Sequence, residues 1–591
     1  MRRTTSFDVD AVSRRYYSAI HRDAKPNRAK QTIPEAASEA IMPADNSTSR
    51  YRHLALLLVL LCNATQAGDV DRDIRPAAIR AHVEFLADDL LEGRGTSSRG
   101  YSLAAAYVAA QLRIAGLKPA GDRDGYLQSV PLLEATPVLP GSTVTWTHND
   151  RSVAFEYGRD YLPGPDYGTA TSTLTAPLAF AGYGITAPNL KYDDLANVDV
   201  RDRIAVVLSG APRRFPPDRR AFFAWEGEKF DNLVRHGAAG VIVVDVPDKS
   251  GDARDKDAWD KRVAASWRPQ MRWLNDDGQI VDAQPELKQR FRFNADAAEK
   301  LFVASDRPFK RVLDTAGKGQ PQGFALPGTM TLSTTTGLRR TESVNVLGVV
   351  QGTDPELKYE YVVVTAHLDQ LGRGAAVDGD AIYNGAHDNA VGVAMLLEIA
   401  HALAAAPAAK RSILFAAVTA NEKGLLGSDY LVAQSPAFRQ SLVADIDIDT
   451  PLTFAPTYDL IAFGAMRTSL GASVRRIAEE HGFRLKFVAA TEDQPLTASD
   501  RFSFLRHGIL SLGIVGGTDA RNRRVDVRRL QQEYRASHRR QPSDDLSLPI
   551  DYNAAAALAR INAAIVAEIA NAASRPYFYR GSFFAERVGR F

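Results

Sequence analysis

Short apolar runs separated by helical periods dominate the C-terminal half of the chain. Residues 361–366, Tyr-Val-Val-Val-Thr-Ala, are typical of a strand buried in a parallel sheet. Similar runs occur at 413–419 and 443–448. From about Glu342 onward strands and helices alternate, so the pattern predicts an α/β fold with a doubly wound mixed sheet and a last helix over 552–573.

The N-terminal half has a different character. Residues 74–117 predict two helices joined by a Gly-rich turn, and 125–147 alternate like a first strand. Strands within Pro- and Gly-rich loops then predict an inserted β-rich domain, with hinges at 163–166 and 326–329. The predicted organisation is an N-terminal extension with signal peptide (1–67), a first part of the sheet domain (74–165), the insert (166–333) and a second part (334–575).

Residues 50–67 resemble a signal peptide. Leu54–Leu61 is unbroken and apolar but too short to span a bilayer, and small residues precede a cleavage point after Ala67. The alternative is an uncleaved anchor. Because signal peptides do not normally begin fifty residues into a chain, we expect Met42 to be the true initiator and residues 1–41 to be a start-site artefact. The expected location is the periplasm or the extracellular space.

The charge balance and the cysteine count limit which partners and which metal sites the chain can have. With 72 Lys and Arg against 70 Asp and Glu, the formal charge is only +2, so no overall field favours nucleic acid. The single cysteine, Cys62, excludes an intrachain disulfide and a Cys-based zinc cluster. Any metal site must therefore use His and carboxylates. The arginine-rich stretch 519–540 is either solvated surface or a cationic rim beside a crevice.

Four residues with metal-binding side chains lie at the predicted ends of strands or starts of helices. They are His367, Asp388, Glu422 and Asp449. Each has a structural alternative, since a strand-end His is commonly structural and Asp388 is placed to cap a helix. Because sites in open α/β sheets form outside the carboxyl ends of the strands, the four together favour one metal-binding crevice.

Several segments resemble the motifs of the co-catalytic zinc aminopeptidase family, which includes bacterial leucyl aminopeptidases, glutamate carboxypeptidase and glutaminyl cyclases. The central ones are Ala-His-Leu-Asp-Gln-Leu-Gly (366–372), Asn-Gly-Ala-His-Asp-Asn-Ala (384–390) and Glu-Lys-Gly-Leu-Leu-Gly-Ser (422–428). Segments 89–96, 499–500 and 542–545 resemble the family's outer signatures. The insert resembles a protease-associated (PA) domain at 181–184 and 237–241. The resemblance covers roughly residues 74–572.

The resemblance implies a role for each central residue. His367 would bind one zinc, Asp388 would bridge two zinc ions, and Glu422 and Asp449 would be terminal ligands. Asp369 would orient His367. The implied reaction is attack of a metal-activated water on a metal-polarised peptide carbonyl, with a carboxylate beside the water accepting its proton.

Two positions depart from the family pattern. The proton-accepting Glu normally precedes the ligand Glu, but Asn421 stands there, and an amide does not accept the proton. In the family pattern the last metal ligand is a His, four residues before the Asp that Asp544 matches. In this chain that position is Arg540, whose permanently charged guanidinium is never a metal ligand. We expect Arg540 to compete with the second zinc and pair with Asp388 or another freed carboxylate. His538, two residues earlier, is the alternative ligand after a small loop shift.

The sequence therefore predicts an exported zinc-dependent exopeptidase, an aminopeptidase acting on peptides, with one or two zinc ions. The alternative is a catalytically impaired or silent relative that binds a peptide or a partner, as Asn421 and Arg540 favour. A one-metal enzyme of the glutaminyl cyclase kind is a third hypothesis, against which the PA-like insert argues. We expect no nucleic-acid partner and no membrane span after signal cleavage. The preferred substrate residue and the oligomeric state do not follow from the sequence.

Overall fold

The computed structural model describes residues 73–246, 252–434, 436–487 and 496–588. The expected signal peptide at 50–67 lies outside them. The described chain begins with the two predicted helices, joined by a short 3₁₀ segment, and the predicted first strand follows. These elements are α1 (Pro76–Leu86), α2 (Arg99–Ile114), β1 (Lys118–Pro119), β2 (Leu127–His148), β3 (Arg151–Ala154) and β4 (Tyr161–Pro163).

The insert, residues 166–333, contains both strands and helices, although the sequence predicted a β-rich domain. Its strands are β5 (Thr171–Phe180), β6 (Thr186–Ala187), β7 (Tyr192–Asp193), β8 (Ile204–Leu208), β9 (Gly240–Val244), β10 (Gln270–Trp273) and β11 (Gln289–Phe293). Its helices are α3 (Pro217–Ala224), α4 (Glu226–Arg235), α5 (Asp252–Ala265), α6 (Ala295–Phe302) and α7 (Phe309–Gly317). Most of these helices are short, and prolines and glycines lie near their ends or in the loops between them, which obscured their period in the sequence.

The remaining strands follow the predicted alternation with helices. They are β12 (Phe324–Val350), β13 (Tyr361–His367), β14 (Gly372–Val377), β15 (Asp380–Tyr383), β16 (Ser412–Val418), β17 (Leu442–Asp447), β18 (Asp459–Phe463), β19 (Arg484–Phe487) and β20 (Leu510–Gly516). The helices are α8 (Val391–Ala405), α9 (Leu426–Ala433), α10 (Pro436–Ser441), α11 (Gly471–Glu480), α12 (Arg501–Arg506), α13 (Val527–Glu533), α14 (Tyr552–Asn571) and α15 (Phe583–Val588). Residues 73–165 and 334–588 are called the large domain below.

The large domain is built on the predicted mixed sheet, in the order β19-β18-β20-β17-β13-β16-β12. Strands β20, β17, β13 and β16 are parallel, whereas β12 and β18 run antiparallel to their inner neighbours. On one face Val362 and Val364 join a core cluster with α1, α2, α8 and α14. On the other Val363 packs with residues of α9 and α12. This double burial explains the continuous apolar strands.

Strand β12 crosses from the insert into the large domain without a break. It pairs with β5 over 324–335, with β2 over 329–346 and with β16 over 346–350. The expected hinge at 326–329 therefore lies inside a strand, where the pairing with β5 shifts register. The proposed boundary at 333/334 falls in the same strand. A Pro-Gly pair within a long strand produced a local irregularity and not a linker.

Asp429 on α9 connects the large domain to the insert. It accepts hydrogen bonds from Trp273 Nε1 (2.9 Å) and from His507, and it pairs with Arg506, which also pairs with Asp282 in the insert (2.8 Å). Burial opposes ionisation of Asp429, but Arg506 and His507 hold its pKa below the usual range. The structure thus ties the two domains through the Trp273–Asp429 hydrogen bond and the Arg506–Asp282 ion pair.

We expect Asp429→Asn to destabilise the protein by about 3–5 kcal/mol, because Arg506 loses a buried partner. Urea unfolding at neutral pH measures the change, and Glu84→Gln, in an exposed helical pair, is the control with no measurable change expected. Because the pKa of Asp429 is lowered by folding, its contribution is full above the ordinary Asp pKa near 4. It is lost only as the pH falls through the folded-state pKa, in strong acid. Equal stability of Asp429→Asn and wild type would contradict this role.

Two described helical segments are long and apolar enough to cross a membrane by length and composition. They are Ala386–Ala405, which contains α8, and Tyr552–Asn571, which is α14. In the fold, 83% of the most apolar window of the first segment and 61% of that of the second are buried. The two helices pack against each other beside the central sheet. Both therefore serve here as core helices.

Candidate functional site

The predicted ligand residues lie at the carboxyl edge of the parallel strands. His367 is the last residue of β13, Glu422 follows β16, and Asp449 follows β17. Asp388 lies in the turn Ala386–Ala390 that leads into α8. That helix shows no side-chain cap at its N-terminus, so Asp388 does not have the alternative role of a cap.

Three of the four residues come together as a compact set. One ligand atom from each of His367, Asp388 and Asp449 lies within 4.8 Å of the others. His367 Nε2 is 3.1 Å from Asp388 Oδ1 and 3.5 Å from Asp449 Oδ1. One imidazole and two carboxylates in a buried pocket are a donor set that suits a zinc ion. Burial opposes a charged imidazole, yet hydrogen bonds and charge interactions with Asp388 and Asp449 raise the pKa of His367 well above its usual value.

The imidazole of His367 is held in one orientation. Its Nδ1 is 3.0 Å from the backbone oxygen of Asp369, which leaves Nε2 facing the carboxylates. The Asp369 carboxylate instead accepts hydrogen bonds from the backbone N–H of Asn421 (3.0 Å) and Glu422 (3.2 Å) and from Thr96 Oγ1 (3.0 Å). The main-chain oxygen of Asp369 thus makes the closer contact with His367, while its carboxylate, with Oδ1 4.0 Å from His367 Nδ1, also fixes the next loop.

Glu422 lies outside the three-residue set, and its carboxylate is paired with an arginine. Arg540 Nε is 2.8 Å from Glu422 Oε2 and 3.1 Å from Oε1, and the Glu422 side chain is 2% exposed. Arg539 Nε is 3.1 Å from Asp388 Oδ2. Arg540 was expected to pair with Asp388 or another freed carboxylate, and it pairs with Glu422. Its neighbour Arg539 pairs with Asp388.

The side-chain amide of Asn421 is hydrogen-bonded to a buried carboxylate. Its Nδ2 donates to Asp500 Oδ2 at 2.8 Å, and Asp500 also accepts from Ser428 Oγ at 2.5 Å. Burial raises the pKa of Asp500 to about 6. Position 421 therefore carries a hydrogen-bond donor engaged with a buried carboxylate.

The turn that presents Asp388 is supported by Asp544. The Asp544 carboxylate accepts from the backbone N–H of His387 (2.9 Å) and Asp388 (3.2 Å) and from the Tyr534 hydroxyl (3.0 Å). Burial raises its pKa to about 7. His538, considered as a replacement ligand, lies with Ser543, 2.9 Å from its hydroxyl, and does not join the metal-binding set.

Arg94 is a residue of the site that sequence reasoning treated only as part of a motif. Its buried guanidinium donates to the backbone oxygens of Leu368 (3.0 Å), Asn384 (2.7 Å), Gly385 (3.2 Å) and Leu86. Burial lowers its pKa to about 10. Arg94 therefore joins the end of β13 to the turn that carries Asp388.

Comparisons with known proteins agree with this architecture. Residues 345–566 match Peptidase family M28, and residues 172–278 match the PA domain. The structure is similar to an aminopeptidase from Aneurinibacillus sp. strain AM-1, with 16% identity, coverage of 86% of this chain and 97% of that one, and a TM-score of 0.50. It is also similar to a zinc aminopeptidase from Bacillus subtilis, with 18% identity, coverage of 86% of this chain and 98% of that one, and a TM-score of 0.41. A peptidase M28 precursor from Shewanella amazonensis has 17% identity, coverage of 87% of this chain and 98% of that one, and a TM-score of 0.42.

Proposed function

We propose that this chain, whose residues 345–566 match Peptidase family M28 and whose residues 172–278 match the PA domain, is an exported zinc-dependent aminopeptidase with one zinc ion per chain. The observation that carries the proposal is the set His367, Asp388 and Asp449, whose ligand atoms lie within 4.8 Å of one another. Export rests on the signal-like segment 50–67.

A zinc ion held there would supply Lewis-acid polarisation of a peptide carbonyl and acidification of a water. The chain's own residues set the rest of the site. The Asp369 carbonyl fixes the imidazole of His367, and Arg540 places a guanidinium on Glu422, where the family pattern has a second metal. Asn421 donates to Asp500 and accepts no proton, so we propose that turnover is slow.

The second candidate function is peptide binding without catalysis. It is favoured by the Arg540–Glu422 ion pair, because this pair fills the second-metal position with a permanent cation. In this case zinc-loaded protein would release no amine from leucine p-nitroanilide above the uncatalysed rate, while still binding dipeptides. Measurable zinc-dependent release would exclude this candidate.

We expect wild-type protein purified with excess zinc to retain about one ion per chain, measured by elemental analysis. His367→Ala should lose it, since the set loses its only imidazole. Arg540→His should gain a second ion, because Glu422 is freed and a ligand is added. Arg523→His, at an exposed position of the same arginine-rich stretch, is the control and should leave the count unchanged. Two ions in wild type would contradict the blocking role of Arg540, and none would contradict the zinc site.

A further inference from the structure

A cavity of about 440 Å³ lies between the insert and the large domain. One part of its wall is Gly424–Leu426, which begins two residues after Glu422. Two residues span at most about 7 Å of chain, so this wall adjoins the metal-binding edge. The insert supplies another part of the wall, including Tyr167, Arg272 and Arg290. The cavity therefore lies near the candidate catalytic edge and is lined on its other side by arginines of the insert.

Five arginines line this cavity, and three of them are neutralised by carboxylates. The ion pairs are Arg262 with Asp245, Arg292 with Asp245 and Glu226, and Arg506 with Asp282 and Asp429. Arg272 and Arg290 form no ion pair with any residue in the described ranges. Two guanidinium charges of the cavity thus remain without a counter-ion from the described chain.

Two hydrogen-bond donors beside these charges are also unused. The Arg290 Nε and the Tyr167 hydroxyl are buried and have no hydrogen-bond partner among the described residues. Arg290 Nη2 donates to the backbone oxygens of Ala283 and Gln284, and its guanidinium lies 5.8 Å from the centre of the Phe230 ring. Arg272 donates from Nε to the backbone oxygen of Asp282 and from Nη1 to that of its neighbour Met271, and its guanidinium lies over the Tyr167 ring at 4.9 Å from the centre. Buried donors without partners are costly and usually indicate a missing acceptor.

The positive charges of Arg272 and Arg290 repel each other. Burial and then the proximity of Arg272 lower the pKa of Arg290 to about 10. Asp166 and Glu286 act in the opposite direction without forming an ion pair with it. An anion placed between the two guanidinium groups would relieve this repulsion.

We propose that Arg272, Arg290 and Tyr167 form a binding site for the carboxylate of a small organic ligand, such as the carboxyl terminus of a short peptide. The planar guanidinium groups match a carboxylate, and the tyrosine hydroxyl supplies a further donor. Aromatic walls from Trp225, Phe230 and Phe502 suit a ligand with an apolar body better than they suit a bare phosphate.

Calorimetric titration of the full chain with acetyl-Ala-Phe and with its C-terminal amide tests this site. The blocked amine prevents cleavage by an aminopeptidase, so the result does not depend on the proposed function. We expect the acid to bind at least tenfold more tightly than the amide. Tyr167→Phe should weaken binding of the acid by about tenfold, and Arg290→Gln by about 10- to 100-fold, with little change for the amide.

Arg262→Gln is the matched control, because this cavity arginine is already paired with Asp245. It should leave the preference for the acid intact. Equal affinity for acid and amide, no binding of either, or an unchanged preference in Tyr167→Phe would overturn the proposal. Tight binding of inorganic phosphate without binding of the dipeptide would also overturn the assignment to a carboxylate. If Arg290→Gln does not fold, as judged by circular dichroism, the Tyr167→Phe result decides.

Discussion

Changing Asn421 to Glu together with Arg540 to His is expected to raise kcat/KM for leucine p-nitroanilide by about 10² to 10⁴, the usual contribution of a positioned general base. The Glu supplies a proton acceptor beside the metal-binding set, and the His removes the cation from Glu422. Initial rates at saturating zinc, together with the zinc count, measure the two effects separately.

The surroundings of Asn421 predict how the single variants differ. Its amide is 2.8 Å from Asp500, so a Glu there places two buried carboxylates in contact. Two carboxylates in contact share a proton near neutral pH. The new Glu side chain in Asn421→Glu alone is therefore partly protonated and is a weaker base. We therefore expect the single variant to gain less at pH 7 than at pH 8.5. Asn421→Gln, which keeps the amide, is the control with no gain. An unchanged rate in the double variant would show that these positions do not limit turnover.

The placement of the candidate metal-binding residues followed from local sequence because most of them directly follow or end an easily recognised strand. The apolar runs before His367, Glu422 and Asp449 define buried parallel strands, and parallel strands end at one edge of the sheet. Asp388 was placed by the turn before α8. Such short-range signals are sufficient to locate backbone positions at an edge.

Most partners of these side chains did not follow from the sequence, since they depend on contacts between distant segments. The family resemblance led us to expect Arg540 to pair with Asp388 or another freed carboxylate, but only the fold assigns Arg540 to Glu422 and Arg539 to Asp388. The bond between Asn421 and Asp500 likewise joins residues 79 positions apart. Local periodicity carries no information about such pairs.

Arg94 shows the same limit for a residue that stabilises the site. The motif around it was recognised, but its role depends on backbone oxygens at 86, 368, 384 and 385. A cation in full burial is expensive unless its donors are satisfied, and here four carbonyls satisfy them. Arg94 therefore supports the candidate metal-binding edge through hydrogen bonds to main-chain oxygens and not through the predicted ligand side chains.

We expect Arg94→Met to destabilise the protein by about 3–5 kcal/mol, because it leaves buried carbonyl groups at two turns without donors. It should also weaken zinc binding by about 10- to 100-fold, since the turn that positions Asp388 loses its anchor to β13. Urea unfolding and competition with a chelator measure the two effects. Arg99→Met, at an exposed position nearby, is the matched control and should change neither. Wild-type stability together with wild-type zinc affinity in Arg94→Met would show that the turn holds its position through Asp544 alone.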